Sequence, residues 1–148
     1  MAAMLMEIMT PDPTSCRSDA RMTEVARLMR DEEIGDVLVV ADDGTLVGIV
    51  TDRDLVVHGL AEGSAADATI DGMFTSGVAT LSTRSSVQDA IDLMTANALR
   101  RVPIVDGGRA IGIVSLGDLA EDRDSESALG RISAAPARTP RMRSPTTT

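Results

Sequence analysis

The chain of 148 residues carries one unit twice, and that repeat limits the folds open to it more than any other feature. Residues 44–55 (GTLVGIVTDRDL) return as residues 108–119 (GRAIGIVSLGDL). Upstream, Met22–Met29 aligns with Val87–Met94 at an offset of 65, and Ile34, Val37 and Val40 fall on Leu99, Val102 and Val105. The offset drops to 64 because the turn Ala41–Gly44 is one residue longer than Asp106–Gly108. At this length the chain is one domain or two very small lobes sharing a core.

Each copy has the same order of elements. A short polar extended stretch (Thr14–Cys16; Ala79–Leu81) leads to an amphipathic helix. Met22, Val25, Ala26 and Met29, then Val87, Ala90, Ile91 and Met94, recur at helical spacing. Ser85 with Gln88 reads as a capping box for the second helix. Ala20 stands at the position of Ser85, so the first helix is expected to start less sharply. Two apolar strands follow, Val37–Val40 with Leu46–Val50, and Val102–Val105 with Ala110–Val114. Thr51 or Ser115 then opens a further helix. The order is β-α-β-β-α, twice. Gly59–Asp71, rich in Ala, Gly, Ser and Asp, reads as the linker. The stretch from about Ser125 has no apolar periodicity and reads as disordered.

Composition excludes several functions. Aromatic residues amount to one Phe, which leaves no stacking platform for single-stranded nucleic acid. The net charge is −9, and residues 131–148 hold Arg131, Arg138, Arg141 and Arg143 with no acid, leaving −13 on residues 1–130. So acidic a body repels a phosphate backbone. One Cys and one His exclude an intrachain disulfide and Cys- or His-rich metal sites, and leave His58 as the sole base for any nucleophilic relay. Cys16 reads as a half-buried thiol rather than a nucleophile, and His58 as a surface or interface residue on a helix. No apolar run is long enough to span a bilayer, and Met1–Met9 lacks a basic region before its apolar residues. A cytoplasmic protein is expected.

The motif that carries most information is Gly-Ile-Val-[Thr/Ser]-x-x-Asp, at Gly48–Asp54 and Gly112–Asp118. Its plainer reading is a strand-to-helix junction, with the hydroxyl as N-cap and the carboxylate at N3. Its functional reading is a helix N-terminus offered to a phosphate, beside a carboxylate that accepts from a ribose diol. Both can hold at once. Gly48 and Gly112, inside otherwise β-branched strands, mark either tight packing or a ligand lying against the backbone.

With these residues in view, the doubled unit resembles a tandem pair of cystathionine-β-synthase (CBS) domains, the Bateman module, over about Ile8–Glu121. Ile8-Met9-Thr10-Pro11 is similar to the opening of such modules, with Met73-Phe74-Thr75 as its partner. The stretch Thr51–Gly63 is similar to stand-alone members that include actinobacterial hypoxic response proteins. The resemblance implies an α+β fold of two β-α-β-β-α repeats packed sheet to sheet with pseudo-twofold symmetry: repeat 1 at 8–60, a linker at 61–72, repeat 2 at 73–122 and a disordered tail at 123–148.

It further implies two clefts for adenosyl ligands. Thr51 and Ser115 would lie near phosphate and Asp54 and Asp118 at the ribose. The strands Val37, Leu38, Val39 and Val102, Pro103, Ile104 would offer main chain to the base. Arg53, Arg100 and Arg101 are the bases available to offset a phosphate. Leu38 stands where the family has the Pro kept at Pro103, and Asp36 stands opposite Arg101 in the repeat.

The function expected is a non-catalytic regulatory module sensing adenine nucleotide or another adenosyl compound. AMP, ADP, ATP and S-adenosylmethionine are the candidate ligands, with no cofactor required and no metal. A homodimer through the Met-rich helices is expected, with an unidentified protein partner and neither nucleic acid nor membrane. The alternative is a ligand-free dimeric interaction protein of a stress response.

Overall fold

Successive side chains on a strand point to opposite faces, and the central strands obey this rule with an apolar residue on both faces. In Asp36–Val40 (β3), Val37 and Val39 enter one core while Leu38 points away from it, all three buried. In Arg101–Asp106 (β7), Val102 and Ile104 enter a second core and Pro103 points away. A strand buried on both faces needs a helix layer on one side and a second sheet on the other. The structure, a computed structural model describing residues 4–123, supplies both.

The remaining elements are Leu5–Ile8 (α1), Thr10–Pro11 (β1), Ser15–Arg17 (β2), Met22–Glu32 (α2), Leu46–Thr51 (β4), Asp52–Asp54 (α3) running into a π-helical turn at Leu55–Leu60, Thr75–Ser76 (β5), Leu81–Ser82 (β6), Val87–Asn97 (α4), Arg109–Ser115 (β8) and Leu116–Arg123 (α5). Two four-stranded sheets form, ordered β2-β3-β4-β5 and β1-β8-β7-β6. The α+β class and the doubled unit are therefore as the sequence implies. Residues 124–148, where most of the expected tail falls, lie outside the described residues. No helix among the described residues is long and apolar enough to cross a membrane.

The unexpected feature is an exchange between the lobes. β1, from the start of repeat 1, pairs with β8 of repeat 2 (Thr10 with Ile113, Pro11 with Gly112). β5, from the start of repeat 2, pairs with β4 of repeat 1 (Gly48 with Ser76, Ile49 with Thr75). The cores follow the strands. Leu5 is fully buried among Val87, Ala90, Val102 and Leu119, whereas Ile70 and Met73 are buried among Met22, Val25, Val39 and Leu55. The segment that reads as a linker is thus partly core at its end. Ile70 N–H donates to Ala20 O at 2.9 Å, and Met22 N–H to Ala68 O at 2.8 Å.

Two details of the sequence reading are corrected. The capping box of α4 is Ser86 with Asp89, not Ser85 with Gln88. Asp89 N–H donates to Ser86 Oγ (3.0 Å) and Ser86 N–H to Asp89 Oδ2 (2.9 Å). Val87 is the first helical residue, so the cap falls one position later. Ser85 Oγ instead accepts from Ser82 N–H in the preceding turn. The leading extended stretches also shift, to Ser15–Arg17 and Leu81–Ser82. The expected blunt start of α2 is found, with no side-chain cap at Arg21.

The glycines inside the strands have a packing reason. A Cβ on Gly48 would stand 2.7 Å from Phe74 Cδ2, and one on Gly112 2.9 Å from Met9 Cγ. Each glycine admits the residue that leads into the exchanged edge strand, so no ligand is needed to explain it. Gly48→Ala and Gly112→Ala are each expected to cost about 1–3 kcal/mol through overpacking. This will appear as a lower urea midpoint at unchanged m-value. A wild-type midpoint in either variant would show that the edge strand does not approach that closely.

Candidate functional site

Both copies of the motif fold as reciprocal caps. Asp54 N–H donates to Thr51 Oγ1 (3.0 Å) and Thr51 N–H to Asp54 Oδ2 (2.9 Å). Asp118 N–H donates to Ser115 Oγ (3.1 Å) and Ser115 N–H to Asp118 Oδ2 (2.9 Å). All four residues are half-buried. Each cap engages one carboxylate oxygen, Oδ2, and leaves Oδ1 outside the cap. The plainer reading is therefore observed, and it places each carboxylate firmly rather than consuming it.

The register sets where the caps stand. Thr51 pairs with Asp36 and Ser115 with Arg101. Asp36 and Arg101 occupy equivalent positions of the two repeats, and they meet: Arg101 Nε lies 3.0 Å from Asp36 Oδ2. Thr45 and Arg109, also equivalent, form a bridge at the other end of the hairpins, where Leu46 N–H donates to Gly108 O at 2.9 Å. Equivalent residues that face one another mark a pseudo-twofold axis. The axis runs along the seam between the sheets, and the two capped junctions flank it at one end.

A cavity of about 380 Å³ opens beside this seam, within the range of small-molecule sites. Its walls come from both lobes. Thr10, Asp12, Pro13 and Thr14 line it from the β1–β2 connection, Glu32, Ile34, Asp36 and Leu38 from α2 and β3, and Arg101 and Ile113 from β7 and β8. Thr14 Oγ–H donates to Glu32 Oε2 at 2.7 Å. Burial pushes the Asp36 carboxyl up from its ordinary pKa; Arg101 opposes that shift and Asp52 adds to it.

Of the residues singled out from sequence, Leu38 and Arg101 line this cavity. Val37, Val39, Val102 and Ile104 point into the lobe cores, which leaves only their main chain to a ligand. Pro103 is buried at the seam and has no N–H to donate, whereas Leu38 N–H donates to Thr14 O at 3.0 Å. Arg53 and Arg100 are exposed and outside the cavity lining. The capped residues Thr51, Asp54, Ser115 and Asp118 do not line it either, since their hydroxyls and carboxylates close the helix N-termini at the strand ends. Sequence reading did not select Thr10, Asp12, Pro13, Thr14, Glu32, Ile34 or Ile113 as site residues. Their signal was the opening Ile8–Pro11 taken together with the repeat, but the lobe exchange that brings them to the seam has no local signature.

A second cavity of about 210 Å³ lies on the β5–β6 side, lined by Gly77, Val78 and Thr80 with Thr45, Leu46, Val47, Val105 and Gly108. Under the repeat offset, Asp12 and Glu32 of the larger cavity correspond to Gly77 and Asn97. The pseudosymmetric side is therefore much less acidic. A third hollow, about 400 Å³, is apolar and lies between α2 and the π-helical turn; Met22, Ala26, Met29, Leu55, Val56 and Leu60 line it, away from the seam. Cys16 is half-buried and its thiol is pushed up to about 11, by burial first and Glu24 second.

The sequence profile of the CBS domain matches residues 5–60 and 70–124. The chain belongs to the CBS-domain family. As a CBS pair it is a regulatory module, and its relatives include proteins of similar size. It is 36% identical over 125 residues to the uncharacterized protein YlbB of Bacillus subtilis, covering 84% of both chains. It is 32% identical to Hypoxic response protein 1 of Mycobacterium tuberculosis, covering 77% of this chain and 80% of that one. A crystal structure of Hypoxic Response Protein I with two coordinated zinc ions superposes with a TM-score of 0.74 at 31% identity, over 80% of this chain and 98% of that one. The CBS domain pair of MJ0100, solved with 5'-methylthioadenosine and S-adenosyl-L-methionine, superposes at 0.75 with 25% identity, over 86% and 100%. Among the described residues of the present pair, no three His, Cys, Asp or Glu side chains are grouped to hold a metal ion.

The raised pKa of Asp36 has a signed consequence. The native state holds this proton more tightly than the unfolded chain does. The stability it contributes is full below the ordinary Asp value of ~3.9 and is lost as pH rises through the higher native value. Asp36→Asn is expected to remove that fall from the pH–stability curve, measured by urea unfolding across the acid range. An unchanged curve would count against the shift.

Proposed function

We propose that this CBS pair is a non-catalytic regulatory module that takes adenosyl ligands at the seam between its sheets. The observation that carries the reading is the cavity of about 380 Å³ walled by both lobes, with a capped Thr-x-x-Asp or Ser-x-x-Asp junction on either side of the axis. The adenosyl compounds in the MJ0100 CBS pair support the ligand class. A ligand touching both lobes favours one lobe arrangement over another, which a partner protein in the cytoplasm then reads. AMP, ADP, ATP and S-adenosylmethionine are the compounds to try. Catalysis is not assigned: Cys16 is a thiol of raised pKa, and His58 is an exposed residue of the π-helical turn.

The two sides of the seam should differ in ligand charge. The side that uses Thr51 and Asp54 has Arg53 beside them, and the repeat counterparts there of Asp12 and Glu32 are the uncharged Gly77 and Asn97. An anionic nucleotide is expected there. Saturating AMP at ~100 times its dissociation constant adds about 2.7 kcal/mol, roughly 5–15 °C in melting temperature for a domain of this size. Asn at position 54 or 118 keeps an oxygen for the cap but loses the charge. Asp54→Asn should remove most of the AMP shift and Asp118→Asn much less. Equal losses would overturn the assignment, and no shift with any adenosyl compound would overturn the ligand reading.

The apolar hollow between α2 and the π-helical turn favours a second reading, a homodimer through these helices. Val56 and Leu60 are 55% and 63% exposed beside it, an apolar surface that association would cover. Light scattering at micromolar concentration should give twice the chain mass, falling to the chain mass for Leu60→Glu. A monomer in the unaltered protein sinks this reading.

A further inference from the structure

Asp36 and Arg101 are one repeat position carrying opposite charges, and the fold brings the two copies face to face. Two arginines there would put guanidinium against guanidinium at the seam, and two aspartates carboxylate against carboxylate. The pair is unequally covered, with the Asp36 side chain 20% exposed and that of Arg101 40%. Removing Arg101 would leave a largely buried carboxylate uncompensated, a costly state. Arg101, whose Nε lies 3.0 Å from Asp36 Oδ2, has N–H donors on its other nitrogens for a further acceptor.

Arg101 is also the one cation among the described residues lining the cavity of about 380 Å³. Asp12 and Glu32 repel an anion there, and Asp36 already neutralises the guanidinium. An anionic ligand entering between the lobes must therefore compete with Asp36 for Arg101. A neutral one need not. We propose that the Asp36–Arg101 pair is a charge gate. It determines whether the seam accepts a phosphate-bearing or a neutral adenosyl ligand, and it ties anion binding to release of a contact between the lobes. The gate rests on the adenosyl reading above, and it assigns Arg101 and Asp36 a specificity role that neither capped junction supplies.

Calorimetry with adenosine and AMP on the full chain carrying Asp54→Asn, so that binding reports the side walled by Asp12 and Glu32, tests the gate. Asp36→Asn frees Arg101 and should tighten AMP by about tenfold, with adenosine changed by no more than about threefold. Arg101→Gln should abolish any preference for AMP over adenosine. Equal changes for both ligands, or none, overturn the gate while leaving the adenosyl reading intact. Absence of binding by either compound to every variant overturns both. A ligand-free cycle guards against variants that fold poorly. The exchanged double variant Asp36→Arg/Arg101→Asp should melt well above Asp36→Arg alone, and equal melting would show that the two residues do not act as a pair.

Discussion

The rest of the structure depends on the crossing of two edge strands between the lobes. β1 and β5 are two residues each, too short to hold a place in a sheet by their own hydrogen bonds. They stay because the apolar residues beside them are buried in the other repeat's core, Leu5 in one lobe and Ile70 with Met73 in the other. Full burial of such a side chain contributes about 1.5–3 kcal/mol. Each lobe therefore closes its core with a segment of the other repeat, and the two lobes form one interdependent unit. Gly48 and Gly112 are the local condition for this, since a side chain at either would meet Phe74 or Met9.

The crossing also builds the site. By carrying the β1–β2 connection over to the seam, it puts Thr10, Asp12 and Thr14 in one wall with Asp36 and Leu38, opposite Arg101 and Ile113. Central strands buried on both faces supply the floor. Val37 and Val39 belong to the lobe 1 core, while Leu38 between them belongs to the seam. The reciprocal caps then fix the carboxylates of Asp54 and Asp118 at the ends of β4 and β8. Each cap uses one oxygen of its carboxylate, Oδ2, so the structural role of these residues is to close the helix N-termini.

Near-equality of the repeats explains the shape, and their differences set the charge. Asp12, Glu32 and Asp36 have Gly77, Asn97 and Arg101 as their counterparts, so equivalent backbones present opposite or neutral groups. The seam tolerates this because Asp36 and Arg101 neutralise one another at the axis. Burial still outweighs the attraction of Arg101 in the pKa of Asp36, which is the usual balance when a carboxylate is partly withdrawn from water.

The repeat offset, the helical spacing of Met22, Val25 and Met29, and the hydroxyl-x-x-carboxylate pairs were legible along the chain, because each is a local pattern spanning a few residues. They determined two lobes of one design and two capped junctions. What the sequence left open was decided by contacts between residues far apart in the chain. The partner of Thr10 is Ile113, and that of Asp36 is Arg101, more than sixty residues away. Whether Gly48 admits a ligand or a neighbouring strand, and whether Arg53, Arg100 or Arg101 reaches the cavity, depends on which sheet each segment joins. A two-residue strand has too little pattern to declare its sheet. Only burial of Leu5, Ile70 and Met73 in the opposite cores settles it.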